Sequence, residues 1–158
     1  MEQLATHTQE LQFAEAAKRL NGIVNRTPLQ LNANLSRKYQ CNVYLKREDL
    51  QVVRSYKLRG AYNMMSSLTP DQLKNGVVCA STGNHAQGFA YSCKKLGVHG
   101  IVFMPIITPK QKVNQTKMFG DDMIEIRLVG DTFDDCAQAA REYTREHNKT
   151  FIPPFDHY

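Results

Sequence analysis

Short apolar runs and amphipathic stretches alternate through the second half of the chain. The apolar runs, rich in Val, Ile and Phe, predict buried strands at residues 77–80, 100–105, 123–129 and 150–152. Apolar positions at helical spacing predict helices between these strands, at residues 85–96, 110–119 and 131–147. Strands and helices that alternate with short connections form parallel sheets covered by helices on both faces. The pattern therefore predicts an α/β fold.

The first half of the chain has a weaker pattern. Helices are expected at residues 9–20, at residues 34–39 with Asn34 as cap, and at residues 55–67 with Ser55 as cap. Extended segments are expected at residues 27–31 and 42–46. Thr69-Pro70 begins a further helical turn, because proline suits the first helical position. Residues 48–56 have no periodicity and indicate a loop.

Composition and charge exclude several classes of protein. The 158 residues include 42% hydrophobic residues, and 20 basic against 15 acidic side chains give a net charge of +5. The basic residues occur as scattered pairs, so we expect no nucleic-acid binding. No apolar stretch is long enough for a membrane span, and the N-terminus does not resemble a secretory signal. We therefore expect a cytoplasmic protein that does not bind a membrane.

The cysteines and histidines do not indicate a metal site. The four cysteines contain no C-x-x-C pair, and the five histidines show no metal-ligand spacing. Cys79 and Cys93 lie in apolar surroundings and are expected to be buried thiols in a reducing compartment. We expect no metal ion.

The loop between the strand at residues 77–80 and the following helix is the first candidate site. Ser81-Thr82-Gly83-Asn84 is small and polar, and His85 begins the predicted helix. Free N–H groups and the helix dipole bind anions at such a position, and open α/β sheets hold ligands there. A capped turn without a ligand explains the same residues equally well.

Lys57 is the second candidate, in the run Ser55-Tyr56-Lys57-Leu58-Arg59-Gly60. A lysine amine close to other cations and partly removed from water becomes a better nucleophile and can form a Schiff base. On the residues alone, a solvated basic helix start is the more common explanation. Lys46-Arg47-Glu48-Asp49, a third charged run, is interpreted as a rim of charge at the end of a strand.

Three motifs together resemble the threonine dehydratases, and specifically the biosynthetic type of isoleucine synthesis. They are Lys46-Arg47-Glu48-Asp49-Leu50-Gln51, Ser55-Tyr56-Lys57-Leu58-Arg59-Gly60-Ala61 and Ser81-Thr82-Gly83-Asn84-His85-Ala86-Gln87-Gly88. The similarity extends over about residues 15–156. These enzymes depend on pyridoxal 5′-phosphate and have the fold of the tryptophan synthase β chain.

The resemblance implies a role for each candidate residue. Lys57 matches the lysine that binds pyridoxal phosphate and removes the α-proton of the substrate, so it is the expected catalytic residue. Asn84 matches the residue that contacts the 3′-hydroxyl of the cofactor. The substrate carboxylate is expected at a loop of five residues: Ser81, Thr82, Gly83, Asn84 and His85. The implied reaction is the β-elimination of water from L-threonine, or from L-serine, giving 2-oxobutanoate and ammonia from threonine.

The resemblance also implies how the chain is organised. Residues 1–48 would belong to a larger cofactor domain, residues 49–148 would form the small α/β domain, and residues 149–158 would return to the larger one. Family members are more than twice as long, and their glycine-rich phosphate-binding loop has no counterpart here. The fold is therefore expected to be incomplete and to match an N-terminal portion of the family's catalytic unit. Family members associate as dimers or tetramers.

Two departures from the family keep alternatives open. Tyr56 replaces the usual phenylalanine, and Thr82 replaces an alanine at a position where serine racemases have a catalytic serine. A serine dehydratase or serine racemase of the same fold is therefore the second interpretation. The third is an inactive, truncated or partner-dependent chain that lacks the phosphate-binding loop.

Overall fold

The computed structural model describes residues 12–155, which form a four-stranded parallel sheet covered by helices and a separate two-stranded ribbon. The helices are α1 (Phe13–Leu20), α2 (Ala33–Tyr39), α3 (Lys57–Ser67), α4 (Pro70–Leu73), α5 (Asn84–Leu96), α6 (Lys110–Gly120) and α7 (Phe133–Glu146). The strands are β1 (Leu29–Leu31), β2 (Tyr44–Lys46), β3 (Val77–Ala80), β4 (Gly100–Met104), β5 (Ile124–Leu128) and β6 (Thr150–Phe151). The start of the predicted helix at residues 9–20 lies outside the described residues.

The main sheet has the strand order β5-β4-β3-β6, and all its pairs are parallel. Strand β3 is central and fully buried, which explains why its sequence is continuously apolar. Because β3 and β6 are neighbouring parallel strands, their carboxyl ends lie at the same edge of the sheet. The loop after β3 and the segment after β6 therefore meet at one edge of the sheet.

Helices cover both faces of the sheet, as predicted. On one face, Val77 and Cys79 of β3 pack in a buried cluster with Met65 of α3 and Phe89 of α5. On the other face, alternate residues of β3 and β4 pack against Cys136, Ala137 and Ala140 of α7. The two-residue periodicity of the strands separates these two cores.

The N-terminal part packs on the first helices rather than on the sheet. Strands β1 and β2 pair antiparallel, and all six of their residues are exposed. Behind them a third cluster forms around Val53, Leu58 and Tyr62, with Leu20 of α1 packed against it. This cluster ties the N-terminal segment to the start of α3.

The caps of two helices differ from the prediction. Asn32, not Asn34, caps α2, because its side chain accepts a hydrogen bond from Leu35 N at 2.9 Å. Ser55 does not cap α3: the helix begins at Lys57, and the buried Ser55 Oγ has no hydrogen-bond partner among residues 12–155. Thr132 caps α7 with a capping box to Asp135.

Within residues 12–155, no helix is long and apolar enough to cross a membrane. The same residues contain no group of three or more His, Cys, Asp or Glu side chains placed to hold a metal ion. The predicted burial of Cys79 and Cys93 is confirmed, and Cys136 is also buried.

Candidate active site

The loop between β3 and α5 is organised by the hydroxyl of Ser81. Ser81 is buried, and its Oγ accepts hydrogen bonds from Gly83 N and from Ala86 N, each at 3.3 Å. This hydroxyl replaces a side-chain cap, because the N-cap residue of α5 is Gly83. Ser81 therefore shapes the loop with an oxygen that accepts two backbone hydrogen bonds.

The first turn of α5 presents backbone donors that have no partner. Among the described residues, neither Asn84 N–H nor His85 N–H has a hydrogen-bond acceptor. Asn84 is exposed, Thr82 is half-buried, and a Cβ placed on Gly83 would meet no atom within 4 Å. The N-terminus of this 13-residue helix thus faces open space with free N–H groups, which is the arrangement that binds a carboxylate.

Lys57 is the first residue of α3, because the helix begins two residues later than predicted. Its side chain is half-buried, and Nζ donates a hydrogen bond to Pro154 O at 2.7 Å. The rings of Tyr56 and Phe155 lie 5.3 Å and 5.0 Å from Nζ. No carboxylate pairs with this amine in the part of the chain that the structure describes. An amine held by a carbonyl and two rings can be released without breaking an ion pair.

A close backbone contact joins the two candidate regions. A Cβ placed on Gly88 of α5 would lie 3.1 Å from Leu58 N and 3.1 Å from both C and O of Lys57. The absence of a side chain at Gly88 lets α5 approach the first residues of α3. The amine of Lys57 and the N-terminus of α5 are therefore carried by two helices in direct backbone contact.

The ring of His85 points away from the loop. It is 5% exposed, and Nε2 lies 3.2 Å from Ile152 O, so Nε2 carries the proton and donates it to this carbonyl. Burial, together with the nearby positive charge of Lys57, lowers the pKa of His85 to about 4. His85 is therefore neutral near pH 7, and only its backbone N–H faces the loop.

A polar network around Glu48, which the sequence pattern did not reveal, anchors α3. Glu48 accepts two hydrogen bonds of 2.8 Å from Arg59 of α3, one of 2.6 Å from Thr27 Oγ1, and one of 3.2 Å from Gln51. The Arg59 guanidinium is the main cause that lowers the pKa of Glu48 to about 2. Gln51 also bonds both N and O of Asn25. Within the charged run at residues 46–49, Glu48 thus forms a clamp on α3 through Arg59, here called the Glu48 clamp, whereas Arg47 and Asp49 form an exposed ion pair.

These residues fit pyridoxal phosphate on chemical grounds. Lys57 supplies an amine that forms no ion pair within residues 12–155, and Asn84 supplies an exposed amide that can donate or accept a hydrogen bond. The open space at Gly83 admits a flat group close to the backbone. Ser81 Oγ already accepts two backbone hydrogen bonds and the His85 ring is engaged by Ile152 O, so the anion contacts that the loop offers include the backbone N–H groups of Asn84 and His85.

Comparison with known proteins identifies related sequences. The family model described as "Pyridoxal-phosphate dependent enzyme" matches residues 20–158. The chain is 58% identical over 142 residues to the biosynthetic L-threonine dehydratases of Staphylococcus epidermidis and of Bacillus subtilis strain 168. Each match covers 90% of this chain and 34% of the relative. The chain thus spans about a third of the length of these relatives.

Solved structures show the same fold. The processed form of threonine deaminase isoform 2 from Solanum lycopersicum superposes with a TM-score of 0.83 at 39% identity, over 91% of this chain and 39% of that one. Serine racemase from Dictyostelium discoideum gives 0.81 at 30% identity, over 91% and 46% of the two chains. The parallel sheet with its helices is therefore part of a larger fold in both relatives.

Proposed function

This chain belongs to the family of pyridoxal-phosphate dependent enzymes, and on that premise we propose that it supplies the lysine and the carboxylate loop of a threonine ammonia-lyase. The family and the cofactor predicted from the motifs are confirmed by the family match. The proposed reaction eliminates water from L-threonine and yields 2-oxobutanoate and ammonia after hydrolysis. The high identity to two biosynthetic threonine dehydratases supports this choice of substrate.

One observation carries the proposal: among residues 12–155, a lysine amine without an ion pair and a helix N-terminus with free N–H groups are carried by two helices in backbone contact. Lys57 opens α3, the free N–H groups open α5, and the Gly88 contact joins the two helices. An amino-acid substrate presents a nitrogen and a carboxylate on the same carbon. The pair of sites therefore suits a ligand that carries both groups.

The roles of the residues follow from this geometry. The N–H groups of Asn84 and His85 would bind the substrate carboxylate, and the Asn84 amide would orient the cofactor through its 3′-hydroxyl. Bound pyridoxal phosphate would supply the electron sink that stabilises the substrate carbanion. Lys57, once its amine is free, would accept the α-proton on Nζ. Hydroxide would then leave Cβ with a proton as water, and hydrolysis of the enamine would give the oxo acid and ammonia.

Other features of the complete enzyme remain part of the proposal. Because the chain spans a third of its relatives' length, we assign it no phosphate-binding residues and expect residues 1–158 alone to be weakly active at most. We propose the domain division at residues 48 and 148, a dimer or tetramer as the complete assembly, and a cytoplasmic enzyme.

Product formation tests the proposed activity. The enzyme that contains this chain should release 2-oxobutanoate from L-threonine, and Lys57→Ala should lower the rate by at least about 100-fold, as expected for loss of a general base. Lys95→Ala is the matched control, because Lys95 is exposed and lies over the Tyr91 ring, away from the site. An unchanged rate in Lys57→Ala would contradict the proposal.

Serine is the second candidate substrate. The fold is shared with a serine racemase, and the half-buried Thr82 places a hydroxyl in the loop. Incubation with L-serine distinguishes three outcomes: pyruvate indicates a dehydratase acting on serine, D-serine indicates a racemase, and neither product supports threonine as the sole substrate of the pair.

A further inference from the structure

The segment after β6 has few groups by which the protein can hold it. Ile152 N donates to Val78 O at 2.8 Å, and up to Phe155, where the described part of the chain ends, no later backbone bond joins this segment to the sheet. The next two residues are Pro153 and Pro154, which have no N–H to donate. Their position must be fixed through carbonyl oxygens or through packing.

Two side chains from the candidate site bind these carbonyls. His85 Nε2 donates to Ile152 O, and Lys57 Nζ donates to Pro154 O, two residues further along. The two bonds come from the first turns of α5 and α3, which are joined at Gly88. The segment from Ile152 to Phe155 is thus held from the helices that form the site.

The two hydrogen bonds differ in the conditions under which they persist. Burial and a neutral ring keep the His85 bond intact near neutral pH. The Lys57 bond is available only while the amine is free, because under the proposed function the same nitrogen binds the cofactor. His85 therefore holds the carbonyl segment whether or not Lys57 is engaged.

We propose that His85 is a positioning residue that fixes the segment Ile152–Phe155, so that the Pro154 carbonyl receives the amine of Lys57 whenever that amine is free. The inference rests on the proposed function for its role in turnover. A lysine that is displaced by substrate and must then take a proton needs a defined resting place. The Pro154 carbonyl provides this resting place for the Lys57 amine. The His85 ring holds the segment that carries this carbonyl and does not itself contact the substrate.

The geometry disfavours a direct contact between the His85 ring and the substrate. The ring is almost fully buried, and its Nε2 proton is used by Ile152 O. A substrate carboxylate at the loop would meet the backbone N–H of His85 instead. Replacement of the ring should therefore leave the carboxylate contact in place and disturb the segment that holds Lys57.

Chemical labelling of lysines tests the proposal without any cofactor. The protein is treated briefly with acetic anhydride, and acetylation of Lys57 is measured by peptide mass spectrometry relative to Lys46. Lys46 is a suitable internal reference because its ammonium also donates to a backbone carbonyl, that of Thr27, far from His85 in the sequence. The variants are His85→Gln, whose amide can replace the Nε2 donor, and His85→Asn, whose shorter amide cannot reach Ile152 O.

The expected result is an increase of at least about fivefold in the Lys57 to Lys46 ratio for His85→Asn, the fold-change equivalent to a hydrogen bond of about 1 kcal/mol. His85→Gln should restore the ratio to within about twofold of the unsubstituted protein. His147→Asn is the matched control, because His147 Nδ1 also bonds a backbone carbonyl, Tyr143 O at 3.0 Å. This bond lies at the C-terminal end of α7 and involves neither α3 nor α5. The control variant should leave the ratio unchanged.

Three outcomes would overturn the proposal: an unchanged ratio in His85→Asn, an equal increase in both His85 variants, or an equal increase in His147→Asn. If His85→Asn does not fold, the Lys57 to Lys46 acetylation ratio of His85→Gln is the test. A raised ratio in this folded variant would contradict the role of His85 as a hydrogen-bond donor, and an unchanged ratio would support it. Labelling needs no pyridoxal phosphate. A complete enzyme containing this chain that shows the labelling pattern but releases no 2-oxobutanoate from L-threonine would refute the proposed function and leave this inference standing.

Discussion

The Glu48 clamp provides a direct test of how the N-terminal segment fixes the lysine-bearing helix. In Glu48→Gln the carboxylate that Arg59 binds at 2.8 Å becomes a neutral amide, although the size of the side chain is preserved. The pKa of Glu48 falls from 4.5 to about 2 in the folded protein. At about 1.36 kcal/mol per pH unit, this shift sets an upper value of about 3 kcal/mol.

Solvent reduces this value. The side chain of Glu48 is 16% exposed but that of Arg59 is 32% exposed, so water screens part of the interaction. We expect Glu48→Gln to lower the free energy of unfolding by about 2 kcal/mol at pH 7. Because the folded pKa is depressed, the contribution is complete above pH 4.5 and is lost as the pH falls toward 2. The difference between the two proteins should shrink by about 1 kcal/mol between pH 7 and pH 3.5.

Urea unfolding followed by circular dichroism at pH 7, 4.5 and 3.5 measures this difference. Asp49→Asn is the matched control, because Asp49 is a neighbouring carboxylate that binds Arg47 at an exposed position. It should change the free energy of unfolding far less than Glu48→Gln does. Equal effects of the two substitutions, or a Glu48→Gln effect that does not depend on pH, would refute the reasoning.

Three further predictions follow from packing, thiol burial and histidine burial. Gly88→Ala in α5 should destabilise the protein by about 1–2 kcal/mol through its 3.1 Å contacts, whereas Gly60→Ala in α3, where a Cβ would meet no atom within 4 Å, should be neutral or stabilising in thermal unfolding. Ellman's reagent should react rapidly with Cys41 in the native protein and, only after unfolding, with the buried thiols of Cys79, Cys93 and Cys136. The pKa of His85 is lowered to about 4, so its contribution to the free energy of unfolding should be complete above pH 6.5 and fall toward pH 4. Between pH 7 and pH 4.5 the free energy of unfolding should therefore decrease by about 2 kcal/mol more in the unsubstituted protein than in His85→Gln, as measured by urea unfolding.

The sequence pattern predicts the parallel sheet well because its strands are buried on both faces. Strand β3 consists only of apolar residues, and the flanking glycines and polar loops mark its ends. The helices α5 and α7 have clear periodicity, and their bounds differ from the prediction by one or two residues. The local sequence pattern is sufficient to predict an element when its own apolar residues show that it is buried.

Contacts between distant segments are not visible in local patterns. Glu48 and Arg59 are eleven residues apart, and His85 and Ile152 are 67 apart, so neither pairing follows from spacing. The absence of a cap at Ser55 has the same cause, because tertiary contacts of α3 with the Glu48 clamp fix the helix start. The sequence therefore proposes the loop at residues 81–85 and Lys57 as candidate site residues, but it does not indicate that the His85 ring bonds to the segment after β6.

The central claim is that Lys57 is the residue that binds pyridoxal phosphate. The purified enzyme is incubated with pyridoxal phosphate, reduced with borohydride, and analysed by intact mass and peptide mapping. The account predicts one pyridoxyl adduct per chain within residues 1–158, located on Lys57, and its loss in Lys57→Ala. An adduct on another lysine with Lys57 unmodified, or no adduct in an enzyme that releases 2-oxobutanoate from threonine, would contradict it.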